Sequence, residues 1–433
     1  MKRSAFICGW LAWVIGSLSC GIADGWAQDG AAGAIDTGDT AWVLVSSALV
    51  LCMVLPGLAL FYGGLVRSKN VLGTIMHTGS ILCLISLVWV LVGYSLAFGT
   101  DMGGVIGSLE FIGLLGVGED AWSGTGIPHL VFMVFQLMFA AITVALITGS
   151  FAERMKFTAL LLFAVLWSVL VYSPLAHWVW GGGWLAEMGA LDFAGGAVVH
   201  TSSGFGALVC AIVLGQRKGH GVEPMPPHNL PMTVMGMGLL WFGWFGFNAG
   251  SALGANGVAA SAFVATHIAA CAGGLSWMVA EWVRSGKPTV LGLASGVIAG
   301  LATITPGAGF LGPLSSLVVG LLAGVLCYMA VVWKTRLGYD DSLDVVGIHG
   351  VGGFTGIVAT GLLASVGGAT GLFFGNPDQF VIQLVLGVAT LLFAVVGTYI
   401  ILKVVDGLVG LRVAPEEETL GLDLSQHNER AYS

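Results

Sequence analysis

The sequence predicts an all-α integral membrane protein: eleven transmembrane helices after a cleaved signal peptide, arranged as two inverted five-helix repeats plus an eleventh helix. Three observations carry that prediction. Only 9% of the 433 residues are charged and 57% are apolar, with a mean hydropathy of +0.94. A soluble globular protein carries about 25% charged residues, so this chain could not cover a surface facing water. Next, the apolar residues fall into runs long enough to cross a bilayer, which takes about 20 residues of helix. Finally, 13 of the 15 Lys and Arg residues fall at every second run end, and the other two, Lys2 and Arg3, open the chain. The 68 glycines fit the same class, because small residues let membrane helices pack backbone to backbone.

Taken in order, Met1-Lys2-Arg3 and the apolar stretch Ala5–Leu18 read as a secretory signal, with cleavage expected after Gly25-Trp26-Ala27. Residues 1–27 are therefore set aside from the mature protein, and residues 28–405 form the membrane domain. The expected spans are roughly 40–65, 71–97, 127–150, 157–176, 194–215, 230–252, 257–283, 289–305, 313–334, 345–366 and 379–404. Pro56 lies within the first and is expected to kink it. Cysteines 52, 83, 210, 271 and 327 all lie in apolar runs without a Cys-x-x-Cys pair, so they read as small hydrophobic residues.

Basic residues fix the expected orientation. Arg67 and Lys69 follow span one, Arg154 and Lys156 span three, and Arg217 and Lys218 span five. Arg284 and Lys287 follow span seven, Lys334 and Arg336 span nine, and Lys403, Arg412 and Arg430 span eleven. The even-numbered exits carry none. This alternation predicts an outside N-terminus, a cytoplasmic C-terminus and an odd span count, in a protein expected in the cell inner (plasma) membrane. The outer face is acidic, which favours cations through the summed field.

Two histidines stand in Gly-rich runs: His200 in span five, eight residues past Asp192, and His349 in span ten, five past Asp344. Spans five apart run in opposite directions, as the members of inverted repeats do; the repeats cover about 40–215 and 230–366. At 1.5 Å per residue the two histidines reach about 12 Å and about 8 Å into a core about 30 Å thick, from opposite faces. Ionisable residues at such depth are functional candidates by default, whereas His77 and His267 read as ordinary core residues. No Lys or Arg lies within a span interior to hold an anion. Phe135 and Phe139 share one helix face, as do Phe247 and Ser251, and Trp180 precedes span five. Aromatic faces attract ammonium-type cations by about 0.5–2 kcal/mol each.

These segments together resemble the Amt/Mep/Rh ammonium transporter family, in its bacterial Amt branch. The matching stretches are Phe135-Gln136 with Phe139-Ala-Ala-Ile-Thr143, Ala176-His-Trp-Val-Trp180-Gly-Gly-Gly183, Leu191-Asp192-Phe-Ala-Gly-Gly196 with Val-Val-His200, Trp244-Phe-Gly-Phe247-Asn-Ala-Gly-Ser251, and Asp344-Val-Val-Gly-Ile-His349-Gly-Val-Gly-Gly353. The resemblance implies that Phe135, Phe139, Trp180 and Ser251 form an outer ammonium recruitment site. It implies that Phe139 and Phe247 stack as a gate, that His200 and His349 are paired pore histidines, and that Asp192 supports the outer site from behind. It further implies a homotrimer with one pore per subunit, no cofactor, no metal, no nucleic acid, and a transporter rather than an enzyme. Ammonium would be recruited, deprotonated and conducted as ammonia, with the proton crossing separately. An ammonium sensor of the same fold, signalling through its tail, is the alternative.

Residues 406–433 are expected to form a cytoplasmic regulatory tail. It resembles the family's tail, which packs under the neighbouring subunit and in many members responds to a trimeric P-II signalling protein. Asn428, where Gly is usual, and Arg430, where a small polar residue is usual, depart from that pattern.

Overall fold

A computed structural model describes residues 34–432; the expected signal peptide lies outside the described residues. Eleven helices are long and apolar enough to cross a membrane. They are α1 Thr37–Leu65, α2 Ser68–Phe98, α3 His129–Ser150, α4 Phe157–Glu187, α5 Gly196–Leu214, α6 Leu230–Gly250, α7 Gly257–Ser285, α8 Val290–Gly307, α9 Pro313–Leu337, α10 Val346–Leu363 and α11 Pro377–Val409. Two short tail helices follow, α12 Pro415–Leu420 and α13 Leu422–His427. A small hairpin between α2 and α3 pairs β1 Asp101–Met102 with β2 Ile106–Gly107.

Helix starts follow local side-chain chemistry. The side chains of Asp36, Asn229, Asn256, Thr289 and Asn376 each accept a first-turn backbone N–H, opening α1, α6, α7, α8 and α11. Such caps satisfy donors that have no partner within the helix. Gly286 and Gly338 end α7 and α9 with φ of 79°, the left-handed stop that a side chain disfavours. α1 is interrupted at Leu55, just before Pro56, where φ and ψ leave the helical region. α4 runs past the expected residue 176, with helix to Trp180 and, after a Gly181–Gly183 break, a further turn at Trp184–Glu187. Pro174 lies within the span, in the first turn of the helical segment Ser173–Trp180, where it is tolerated.

The centre of the bundle lies where α5 and α10 cross. A Cβ on Gly204 would fall 2.0 Å from the Gly350 nitrogen, and one on Gly353 would fall 2.8 Å from the His200 Cβ. Only glycine permits this backbone contact, and it brings both histidine-bearing turns to one place. Around it, Phe135, Phe139, Trp167, Trp244 and Phe247 are fully buried. The five described cysteines are free thiols. His77 is buried and stacks on Phe157 at 6.3 Å. His267, expected in the core, is instead exposed on α7 against Trp241; its helix turns that face outward.

Candidate functional site

Both pore-directed helices begin abruptly. Before α5 the chain turns at Gly195 (φ 105°), which a side chain would strain. The buried Asp192 carboxylate then accepts four backbone N–H groups, from Gly195, Gly196, Ala197 and Val198, at 3.0, 2.6, 2.9 and 3.1 Å. Burial pushes this carboxyl up to about 6, against those four donors that favour its charged form. The Asp192 carboxylate thus faces the start of its own helix, where the helix dipole favours a negative charge.

The matching residue before α10 is Asp341, not Asp344. Asp341 Oδ2 accepts the Val346 N–H at 2.8 Å, while Asp344 pairs with Lys334. The left-handed turn at Asp344 (φ 64°) swings its side chain away from the helix start.

From the acidic side inward, the predicted site residues form one continuous line. A cavity of ≈ 360 Å³ is lined by Gln136, Phe139, Trp180 and Ser251 among others. Trp180 Nε1 donates to the Asp192 carbonyl at 2.8 Å, which fixes the indole. Ser251 donates its proton to the Phe247 carbonyl at 2.8 Å, so its lone pairs remain as acceptors. Phe135 packs edge-on against Phe139 with centroids 4.9 Å apart, behind the cavity wall rather than among its lining residues. Phe139 stacks on Phe247 at 4.3 Å and 27°. Phe247 in turn lies 5.9 Å from the His200 ring, and Trp244 flanks that ring at 5.4 Å.

His200 and His349 meet. Their Nδ1 atoms are 3.2 Å apart and their rings are inclined by 27°. One shared proton makes that bond, so one ring carries Nδ1–H and the other accepts. Both rings are buried, and His200 Nε2 has no hydrogen-bond partner among the described residues. Beyond His349 lies a void of ≈ 10 Å³ bounded by Tyr62, Trp244 and Ile348, about the room for one water-sized molecule. Tyr62 donates to the Leu146 carbonyl at 3.0 Å. A further cavity of ≈ 180 Å³ shares Phe61, Leu343 and Ile348 with that void and reaches Glu153, Arg217 and Asp344. Sequence reading missed Tyr62 and Gln136. A buried tyrosine in span one and an amide beside Phe135 were the available signals, and neither has a periodic counterpart.

The basic face is held by buried ion pairs. Arg67 meets Glu153 at 2.6 Å, and Arg217 reaches Glu153 at 3.4 Å and Asp340 at 2.9 Å. Burial pushes the Asp340 carboxyl up, but the Arg217 bonds and charge outweigh it and hold the group at about 2. The tail docks on this face. Glu418 takes Arg412 at 2.8 Å and the Lys218 N–H at 2.6 Å, and Asp423 accepts the Gly73 N–H at 2.8 Å. Asn428 caps α13 with φ of 53°, a left-handed turn that Asn tolerates nearly as Gly does.

A bundle of eleven bilayer-length helices, opening into cavities toward both faces and narrowing to two bonded histidines, defines a multi-pass membrane protein organised around a central line of aromatic and imidazole groups. Residues 41–432 match the Ammonium Transporter Family, and the chain belongs to that family. It is 52% identical over 406 residues to an ammonium transporter of Aquifex aeolicus, covering 92% of this chain and 94% of that one. It is likewise 52% identical to an ammonium transporter of Bacillus subtilis, with 91% and 98% covered. Among solved structures it is similar to Saccharomyces cerevisiae Mep2, at a TM-score of 0.83 and 38% identity over 88% of this chain and 89% of that one. A chain described as a sensor Amt protein also shares the fold, at a TM-score of 0.83 and 28% identity over 90% and 98%. Ammonium transport is thus the function of the family to which this chain belongs.

Proposed function

We propose that the chain takes ammonium from the acidic side, which faces outward, strips its proton at the phenylalanine pair, and conducts ammonia past His200 and His349 to the cytoplasm. The observation that carries this reading is the order of groups along one line. A wide cavity with aromatic faces and the Ser251 acceptor leads to a stacked Phe139–Phe247 constriction, and the bonded histidines lie directly behind it.

The energetics favour deprotonation. Carrying an intact ammonium ion into an apolar passage costs on the order of 20 kcal/mol by the idealised Born estimate. Removing its proton near neutral pH costs about 4 kcal/mol, taking an amine pKa of about 10.4 as the guide. The cation is held outside by Trp180, Phe139 and the Ser251 oxygen, at about 0.5–2 kcal/mol per aromatic face, with Phe135 packed behind Phe139. Past the gate, the imidazoles offer a lone pair and an N–H to a neutral molecule without adding charge. A proton that crosses separately makes the transport electrogenic. Potassium has no proton to lose and is excluded. In the assembled protein three such pores stand side by side, and the docked tail provides the face on which a P-II protein acts.

The test is the ammonium-evoked current of reconstituted protein on a solid-supported membrane, compared between wild type and His200→Ala. A clear wild-type current that changes in size or selectivity in the variant is the expected result. No current, with binding retained, would favour the sensor reading instead.

A further inference from the structure

The motif Ala176-His177-Trp178-Val179-Trp180 contains a buried histidine that the transport reading leaves unused. His177 lies one helical turn before Trp180, near the end of the main segment of α4. Its Nδ1 is 3.0 Å from the Ala97 carbonyl oxygen, and its Nε2 is 2.8 Å from the Asp101 carboxylate in β1. Both partners are acceptors only. A carbonyl has no proton to give, and the Asp101 carboxylate already takes the Gly104 N–H on both oxygens, at 2.8 and 2.9 Å. A neutral imidazole has one N–H and could satisfy only one of the two. Only a ring with a proton on each nitrogen, an imidazolium, can donate to both acceptors.

The ring sits in a clamp. Trp178 Nε1 donates to the Val105 carbonyl at 2.7 Å, and the Trp184 N–H to the Gly104 carbonyl at 3.0 Å. The His177 carbonyl accepts the Gly183 N–H at 2.9 Å. A Cβ on Gly181 would lie 2.0 Å from the Ala97 oxygen and 2.6 Å from His177 Nδ1, so the chain must be glycine where it leaves Trp180. The hairpin, the end of α2 and the end of α4 are thus bound together immediately beside the indole that lines the outer cavity.

We propose that His177 is a positioning residue of the recruitment site: its imidazolium ties the 101–107 hairpin to the helix end that presents Trp180, so that capture of the cation weakens when the ring loses its second proton. This rests on the reading of Trp180 as part of that site. Among the elements packed around His177, α2 contributes Tyr94, which bonds to His129, and α4 itself contributes Tyr172 and Glu187. None of these bonds the ring; Asp101 is the charged group that does. Its carboxyl is held below the usual range by the His177 hydrogen bond, with help from the Gly104 and Gly103 amides.

Loss of the second proton leaves a ring lone pair facing a carboxylate, and the tie opens. The expected consequence is an apparent KM that rises as the outer solution is made alkaline, by about two- to tenfold, which corresponds to the net worth of one hydrogen bond. Methylammonium is the proper substrate, because an amine with a pKa of about 10.4 stays charged from mildly acidic to mildly alkaline solution.

The test measures methylammonium-evoked currents from the full-length protein in proteoliposomes across that pH range, for wild type, Asp101→Asn, Asp101→Ala and Trp180→Ala. An amide at 101 can accept from the charged ring or donate to the neutral one. Asp101→Asn should therefore keep a low KM that no longer follows pH. Asp101→Ala, at an exposed position, should show a raised and pH-independent KM. The proposal is overturned if Asp101→Ala keeps the wild-type KM and profile, if Asp101→Asn follows pH as the wild type does, or if the wild-type KM is flat. An unchanged KM in Trp180→Ala is a separate outcome: it would overturn the recruitment site itself.

Discussion

Removing the Asp192 carboxylate should separate a bonding role from a charge role at the entrance to α5. Four backbone N–H groups converge on its two oxygens within 3.1 Å. In Asp192→Ala all four are orphaned in a buried site, at about 1–3 kcal/mol each, or on the order of 4–12 kcal/mol together. Relief of the buried charge opposes this. Moving the carboxyl from 3.8 to about 6 corresponds to about 3 kcal/mol, which the uncharged variant recovers. The net loss is therefore several kcal/mol, enough to unfold or misplace the turn that carries His200. Asp192→Asn keeps one acceptor oxygen, orphans about two donors and recovers the same charge term, so its net cost should be near zero to about 3 kcal/mol. The assay is thermal unfolding in detergent, paired with ammonium current. Asn should be clearly more stable than Ala, and both should conduct less than wild type. Because the folded pKa lies above the unfolded one, the native protein holds this group's extra stability at acid pH. It loses that stability as pH rises from about 3.8 to about 6, and the Asn variant should lack that slope. Equal stability and equal current for Ala, Asn and wild type would refute the four-donor account.

Further outcomes follow from the same geometry. Gly204→Ala places a methyl 2.0 Å from the Gly350 nitrogen; it should separate α5 from α10, break the histidine bond and abolish current, as transport and melting measurements would show. Phe139→Ser opens the stacked constriction to water, and potassium should then evoke a current where wild type shows none; continued exclusion of potassium would count against the gate. Arg217→Ala leaves the buried Asp340 without its guanidinium, at about 3–5 kcal/mol. Asp340 stability is present above about pH 3.8 and lost as pH falls toward about 2. The acid side of the wild-type melting profile should therefore be steeper than that of the variant.

Much of the fold was legible because membrane insertion is a local property. Ten of the eleven spans lie within a few residues of their expected limits. The exception, α4, continues past its expected limit at 176 to Glu187. The site was legible where it repeats or where residues share a helix face: Phe135 with Phe139, Phe247 with Ser251, and the two histidines. It was not legible where a partner comes from a distant segment without periodicity. His177 and Asp101 are 76 positions apart, and Arg217 and Asp340 are 123 apart. The carboxylate at the start of α10 was not legible either: Asp341 stands five residues before Val346, whose N–H it accepts.

The sequence by itself determined that the chain lives in a bilayer, how often it crosses, and which two histidines approach from opposite sides. Hydropathy adds along the chain, and excess basic charge is counted at each run end, so neither needs a partner in space. Only the tertiary structure decided that those histidines touch, because contact depends on the rotation of each helix and on how closely two backbones can pass at Gly204 and Gly350. It also decided which carboxylate closes each helix start, and that His177 faces two acceptors at once. Those are matters of direction over a few ångströms, which follow from packing of the whole bundle and not from any one segment.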